Sequence, residues 1–216
     1  CWPVASWSSL DYYGRWKALH YSAKRFYAPL LISAEEEGTS VAISVTNDTL
    51  EMVSGELEWK LRDQNSAVVQ HDKLAVQVDS LSAAVFAELD FASILDTRGK
   101  LGQHYLEFSL KVGGDTVSEG TVLFVKPKHF PLQPAGLKAV MSEEADYYAI
   151  DVIADAFSMY IELDFADADA RFSDNFFHLS GGDTKRIQLS KEEVSPGASL
   201  EQLRQSLTLR SLADSY

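Results

Sequence analysis

Cysteine is nearly absent from this chain: Cys1 is the only one in 216 residues. An internal disulfide is therefore excluded, and so is a metal site built on several thiolates. A chain without disulfides fits a reducing compartment and favours the cytoplasm. Long apolar runs are missing too, and none approaches the roughly 18–20 residues that span a bilayer. The opening lacks the Lys/Arg-led start and clean apolar stretch of a secretory signal. Positive charge is scarce, with 19 Lys+Arg against 32 Asp+Glu and a formal net charge of −13. Nucleic acid and anionic membrane both need basic surface, so neither is expected as a partner. A first residue of Cys would suit a mature bacterial lipoprotein, but such chains follow it with a polar tether. Here an aromatic segment follows at once.

That segment, CWPVASWSSLDYYGRWKALHYSAKRFYAPLL, holds 8 of the 24 aromatics and three of the four tryptophans. Its four bases (Arg15, Lys17, Lys24, Arg25) face one acid (Asp11), a balance of +3 that leaves −16 on the remainder. Ser9 is a candidate N-cap. Tyr12, Trp16, Leu19, Ala23 and Phe26 then recur at helical spacing, which predicts a helix over about 10–27. Pro29 stops it, and Gly14 weakens it by about 1 kcal/mol relative to Ala. So large an aromatic face must dock on something, and a protein body outside this sequence is one candidate.

After Pro29 the period becomes two. Ile32, then Val41, Ile43 and Val45, then Leu57, Trp59 and Leu61 alternate with polar neighbours. Val68–Val69 makes a short piece, and further strands are expected around 74–78, 85–89, 106–112 and 122–124. Gly113-Gly114-Asp115 is a hairpin signal. Seven or eight short strands at this spacing predict an antiparallel sandwich with Trp59 in its core. Residues 127–136 hold three of the chain's six prolines (Pro127, Pro131, Pro134) and Gly136, which predicts a semi-rigid linker. Beyond it, strands around 137–142, 148–152, 159–165, 176–179, 187–189 and 207–209 predict a second, smaller sandwich.

Chemistry is harder to find. Asp164, Asp167 and Asp169 are dense enough to suggest a Ca²⁺ loop, but no EF-hand pattern is present and a strand's solvent face explains them. His20, His71, His104, His129 and His178 lack metal-ligand spacing. There is no Gly-x-Ser-x-Gly elbow and no Gly-rich phosphate loop. The residues alone give no catalytic group, metal site or cofactor.

CWPVASWSSLDYYGRWKALHYSAKRFYAP, with Cys1-Trp2-Pro3 and Tyr12 through Tyr21, closely resembles the end of the catalytic (β/α)8 barrel in bacterial β-mannosidases of glycoside hydrolase family two. VTNDTLEMVSGELEWKLRD, LFVKPKHFPL and DADARFSDNFFHLSGGDTKRIQLS are similar to the Ig-like domains that follow it. The resemblance implies a mainly β fold, with two Ig-like antiparallel β-sandwiches preceded by one α-helix, the last helix of a truncated barrel. It divides the chain into a barrel remnant (1–28), a sandwich (29–128) and a smaller sandwich (129–216). The chain would be the non-catalytic C-terminal part of a larger enzyme, partnered by the upstream barrel of the same protein. That parent would hydrolyse terminal β-D-mannose residues with retention, a reaction needing two carboxyls about 5–5.5 Å apart, which the family carries upstream. Trp2 would lie on the active-site face of the barrel and pack against the mannoside, or simply plug the barrel end. The alternatives are a β-galactosidase-like parent, or a stand-alone carbohydrate-binding Ig-like module. For the module Tyr147, Tyr148, Tyr160, Phe176 and Phe177 are candidate contacts.

Overall fold

A computed structural model describes residues 8–195, 197 and 199–215, and its first regular helix is shorter than the spacing predicts. Helix α1 runs over Ala18–Phe26. Before it, Asp11 folds the chain into a turn: its Oδ1 accepts from the amides of Tyr13 (2.8 Å) and Arg15 (2.9 Å). Gly14 adopts φ +82°, which no right-handed helix uses. Leu10 and Trp16 then bridge across the turn. Ser9 is therefore no N-cap; its hydroxyl lies 3.0 Å from Nδ1 of His20.

Beyond this segment the chain forms two compact units, Arg25–Pro131 and the residues from Leu132 onward joined by those up to Lys24. In the first, β1 (Leu30–Glu37), β2 (Ser40–Asn47) and β5 (Ser82–Asp90) form one sheet, ordered β1-β2-β5. The other sheet is β4 (Val68–Val78), β3 (Val53–Asp63), β6 (His104–Val112) and β7 (Asp115–Leu123), in that order, and every pairing in both is antiparallel. A short helix, α2 (Arg98–Leu101), precedes β6. Alternate residues meet between the sheets, Ile32, Val41, Ile43 and Val45 against Leu57, Trp59, Leu61, Leu106 and Leu110. Trp59 sits in this core, edge-on to Phe91 at 5.7 Å.

Two irregularities break the alternation. Ile43 faces Ala87 while Ser44 faces Val85, so Phe86 is an extra residue and Val85 turns outward. Likewise Leu61 faces Gln70 and Arg62 faces Val68. Val69 is bulged, and 68–78 is one strand rather than two. The Gly113–Gly114 hairpin places both glycines at positive φ (+63° and +95°), as a type I′ turn requires. Asn47 is wholly buried and joins the two sheets: its side-chain N–H groups donate to the carbonyls of Glu51, Val78 and Asp79.

Gly120 stands opposite Phe108, whose ring would lie 2.4 Å from any added Cβ. Gly120→Ala is expected to lower stability by about 1–3 kcal/mol through overpacking, read as a lower urea midpoint. On β3, Glu58 is almost covered and meets Lys111 (2.9 Å), Lys60 (3.2 Å) and Lys73 (3.4 Å). Burial pushes its carboxyl up, but the bonds from Lys111 and Lys60 prevail and hold it at about 2 against an ordinary 4.5. A depressed acid stabilises the fold above its unfolded pKa and ceases to do so as pH falls through its folded one. Unfolding of the first unit should therefore ease between pH 4.5 and 2, and Glu58→Gln should flatten that slope in acid titrations.

The second unit repeats the architecture with shorter strands. One sheet is ordered β12-β9-β8, from β8 (Lys138–Glu143), β9 (Tyr147–Ile153) and β12 (Thr184–Ser190). The other places β10 (Ser158–Phe165) between β11 (Phe177–Leu179) and β13 (Leu207–Arg210). Ile150, Val152, Ile187 and Leu189 pack against Ile161, Leu163 and Phe165. Gly181-Gly182-Asp183 carries the chain from one sheet to the other and closes no hairpin, since β11 pairs with β10 and β12 with β9. A helix the strand pattern does not predict, α3, runs over Leu200–Ser206. It opens with a Ser199–Gln202 capping box and buries Leu203.

The proline-rich stretch is held at both ends. Phe130 is buried, with its ring 6.1 Å from that of Tyr105 in the first unit. Ala135 is buried in the second, its carbonyl accepting from the Asp155 amide at 2.9 Å.

Candidate functional site

Residues 8–24 of the opening segment are seated on the second sandwich, within one compact unit. Tyr21 is its anchor, 2% exposed, although it lies off the face that helical spacing picks out. Its ring centroid is 5.2 Å from that of Trp16 and 5.9 Å from that of Phe176. The hydroxyl engages the Phe172 backbone and the Asn175 side chain, yet burial outweighs them and raises the phenol's pKa above its ordinary 10.0. Three cations fasten the rim. Arg15 reaches Asp169 at 3.3 Å, the Lys24 ammonium donates to the Ser173 carbonyl at 2.7 Å, and the Arg171 guanidinium stands 5.3 Å from the Trp16 ring. Asp11 orients Arg15. Desolvation opposes its charge, but hydrogen bonds from Arg15 and Tyr13 keep the carboxyl below its usual range.

Between Trp16 and Lys24 of this segment and strands β9 and β12 lies an open groove of about 560 Å³. Tyr147 and Gln188 contribute from the strands, Arg171 from a loop and Glu193 from the 3-10 turn Lys191–Glu193. Residues from the start, middle and end of the chain meet here, so no local motif announces the groove.

The sequence candidates fare differently. Trp2 lies outside the described residues, as do Cys1 and Pro3. The five candidate sugar-contacting aromatics do not form an exposed row, because Tyr148 and Phe177 belong to the core. Tyr160 is exposed and stacks edge-on against His178 at 4.8 Å. Phe176 faces Tyr21. Asp164 accepts from the next backbone amide and Asp169 from Arg15. Among the described residues no group of three or more His, Cys, Asp or Glu side chains could hold a metal ion. No helix among them is long and apolar enough to cross a membrane.

Two open antiparallel sandwiches define the class, a tandem of Ig-like domains. Residues 39–129 match the family model of the Mannosidase Ig/CBM-like domain, and 132–215 match that of an Ig-fold domain. All of the chain aligns with β-mannosidases of Capra hircus and Mus musculus, each at 26% identity and over 25% of the relative's length. β-Mannosidase A of Aspergillus oryzae aligns with 89% of the chain at 24% identity, over 22% of its own length. Among solved structures, a β-D-mannosidase from Dictyoglomus thermophilum superposes on 98% of the chain with a TM-score of 0.83 and 21% identity, over 25% of that chain. The exo-chitosanase CsxA of Amycolatopsis orientalis superposes on 95% with a TM-score of 0.61 and 15% identity, over 28% of that chain. These structural likenesses are of fold. The chain is a β-mannosidase homologue comprising the C-terminal Ig-like region, and it spans about a quarter of the length of the relatives it matches.

Proposed function

We propose that this chain is the non-catalytic C-terminal region of a glycoside hydrolase of family two that removes terminal β-D-mannose residues, and that it packs on and supports an upstream catalytic barrel. The observation that carries this is the surface of the opening segment. Tyr21 holds it to the second sandwich, yet Tyr12, Tyr13 and Tyr27 are 78%, 77% and 80% exposed, and Leu19 and Phe26 are about half exposed. Bulky aromatics left in water, Tyr12 against Tyr13 and Phe26 against Tyr27, mark contact surface, and the relatives' greater length supplies a body to cover it. On this reading residues 1–28 complete the barrel and Trp2 lines the mannoside site at its rim, the face where such barrels place their chemistry. The two catalytic carboxylates belong to the upstream part. The single cysteine supports a cytoplasmic, reducing setting.

The test is reassembly. This chain alone should not turn over p-nitrophenyl β-D-mannoside, and the upstream region alone should be unstable. Joined in one polypeptide they should hydrolyse it with retention. Turnover by the isolated chain would refute the reading, as would a joined protein that cleaves only β-galactosides.

A further inference from the structure

We propose that the groove between the opening segment and the second sandwich binds a short neutral oligosaccharide. Its volume, about 560 Å³, falls within the range of small-ligand sites. The charges lining it balance: Lys24 and Arg171 against Asp146 and Glu193. Both cations are already committed. Lys24 donates to the Ser173 carbonyl, and Arg171 pairs with Glu193 while covering Trp16. An anionic ligand would also meet the carboxylates of Asp146 and Glu193, whereas a neutral one leaves the balance of charge as it is.

What remains uncommitted suits a sugar. The side chains of Gln188 and Tyr147 make no hydrogen bond among the described residues, and both face the groove. A glutamine amide both donates and accepts, and so does a phenol, as a sugar hydroxyl requires of its partners. Tyr147 adds aromatic carbon, which a sugar's C–H surface can cover while its hydroxyls stay polar. The site is fixed in advance, since Gln188 is tied to the opposite loop through backbone bonds with Ser173 in both directions: the Ser173 amide donates to the Gln188 carbonyl, and the Gln188 amide to the Ser173 hydroxyl.

The inference does not rest on the proposed parent activity. It is tested on this chain by calorimetry and by amide chemical shifts, titrating β-1,4-mannotriose, cellotriose and the acidic trimer of galacturonic acid. A neutral trimer should bind, shifting the amides of 146–148, 171–173 and 186–190, and the acidic trimer should not. Gln188→Ala and Tyr147→Phe should each weaken binding about tenfold, the loss of about 1.4 kcal/mol, while Tyr160→Ala, outside the groove, should leave it unchanged. Gln188 is exposed on its strand, so its variant keeps the fold and decides the matter even if Tyr147→Phe does not. No binding at millimolar trimer would overturn the proposal. So would binding indifferent to Gln188→Ala, or a preference for the acidic trimer. None of these results would touch the reassembly experiment, which reads turnover instead.

Discussion

Asn175→Ala is expected to destabilise the second sandwich by about 2–5 kcal/mol. Asn175 is 4% exposed and acts as a one-residue strand. Its Oδ1 accepts from the Leu163 amide and its Nδ2 donates to the Leu163 carbonyl, both at 2.8 Å. The mimicry is needed because β11 is short: its pairing with β10 reaches only Ile161↔Phe177. Leu163 itself is 2% exposed, so water cannot readily replace the amide. Truncation would strand two buried backbone groups, each worth about 1–3 kcal/mol. Asn175→Asp should be at least as damaging, since it restores only an acceptor and buries a charge. Hydrogen exchange read by mass spectrometry should show loss of protection around Leu163, with no change in the unit Arg25–Pro131. Unchanged protection would mean that a water has taken the amide's place.

The strands were legible because a half-buried sheet writes its burial into every second residue. Ile43, Leu57, Leu106 and Ile161 all appear where alternation puts them. Alternation fails at bulges, and the extra residue at Phe86, which turns Val85 outward, is invisible to a period of two. The opening helix was overextended for a related reason. Tyr12 and Trp16 have helical spacing by coincidence, while the Asp11 turn and Gly14 set the backbone. That signal was present, an Asx-type acid ahead of a glycine, but the aromatic pattern outweighed it. Helix α3 also carried a sign in Ser199-x-x-Gln202, hidden beside the more obvious strand at Leu207. The seat of the opening segment on Phe172, Asn175 and Phe176 joins residues some 150 positions apart, and no local pattern could reveal it.

That seat makes Tyr21→Ala the other large effect, about 3–5 kcal/mol for an emptied aromatic site. The ring is enclosed by Trp16 and Phe176, and Phe176 holds φ +55°, a strained state for a bulky residue. Removing the Tyr21 ring takes away a contact that offsets that strain, so Phe176 is expected to relax and the segment to separate from the sandwich. Trp16 emission should shift to the red, and Lys24 and Arg15 should lose their ties to Ser173 and Asp169. Tyr21→Phe divides the effect. It keeps the ring and leaves the Phe172 and Asn175 groups short of a partner, for about 1–2 kcal/mol. The raised phenol pKa supplies an independent check. The unfolded chain ionises Tyr21 near 10.0 and the folded chain only above it, so the stabilisation is complete below pH 10 and drains away as pH climbs through the folded value. Wild-type stability should fall more steeply than that of Tyr21→Phe in this alkaline window, and equal slopes would show that the hydroxyl is not buried. In the proposed parent the same residue would tie the end of the catalytic region to the second sandwich. Tyr21→Ala there should therefore shorten the half-life on heating while leaving kcat/KM at low temperature nearly intact.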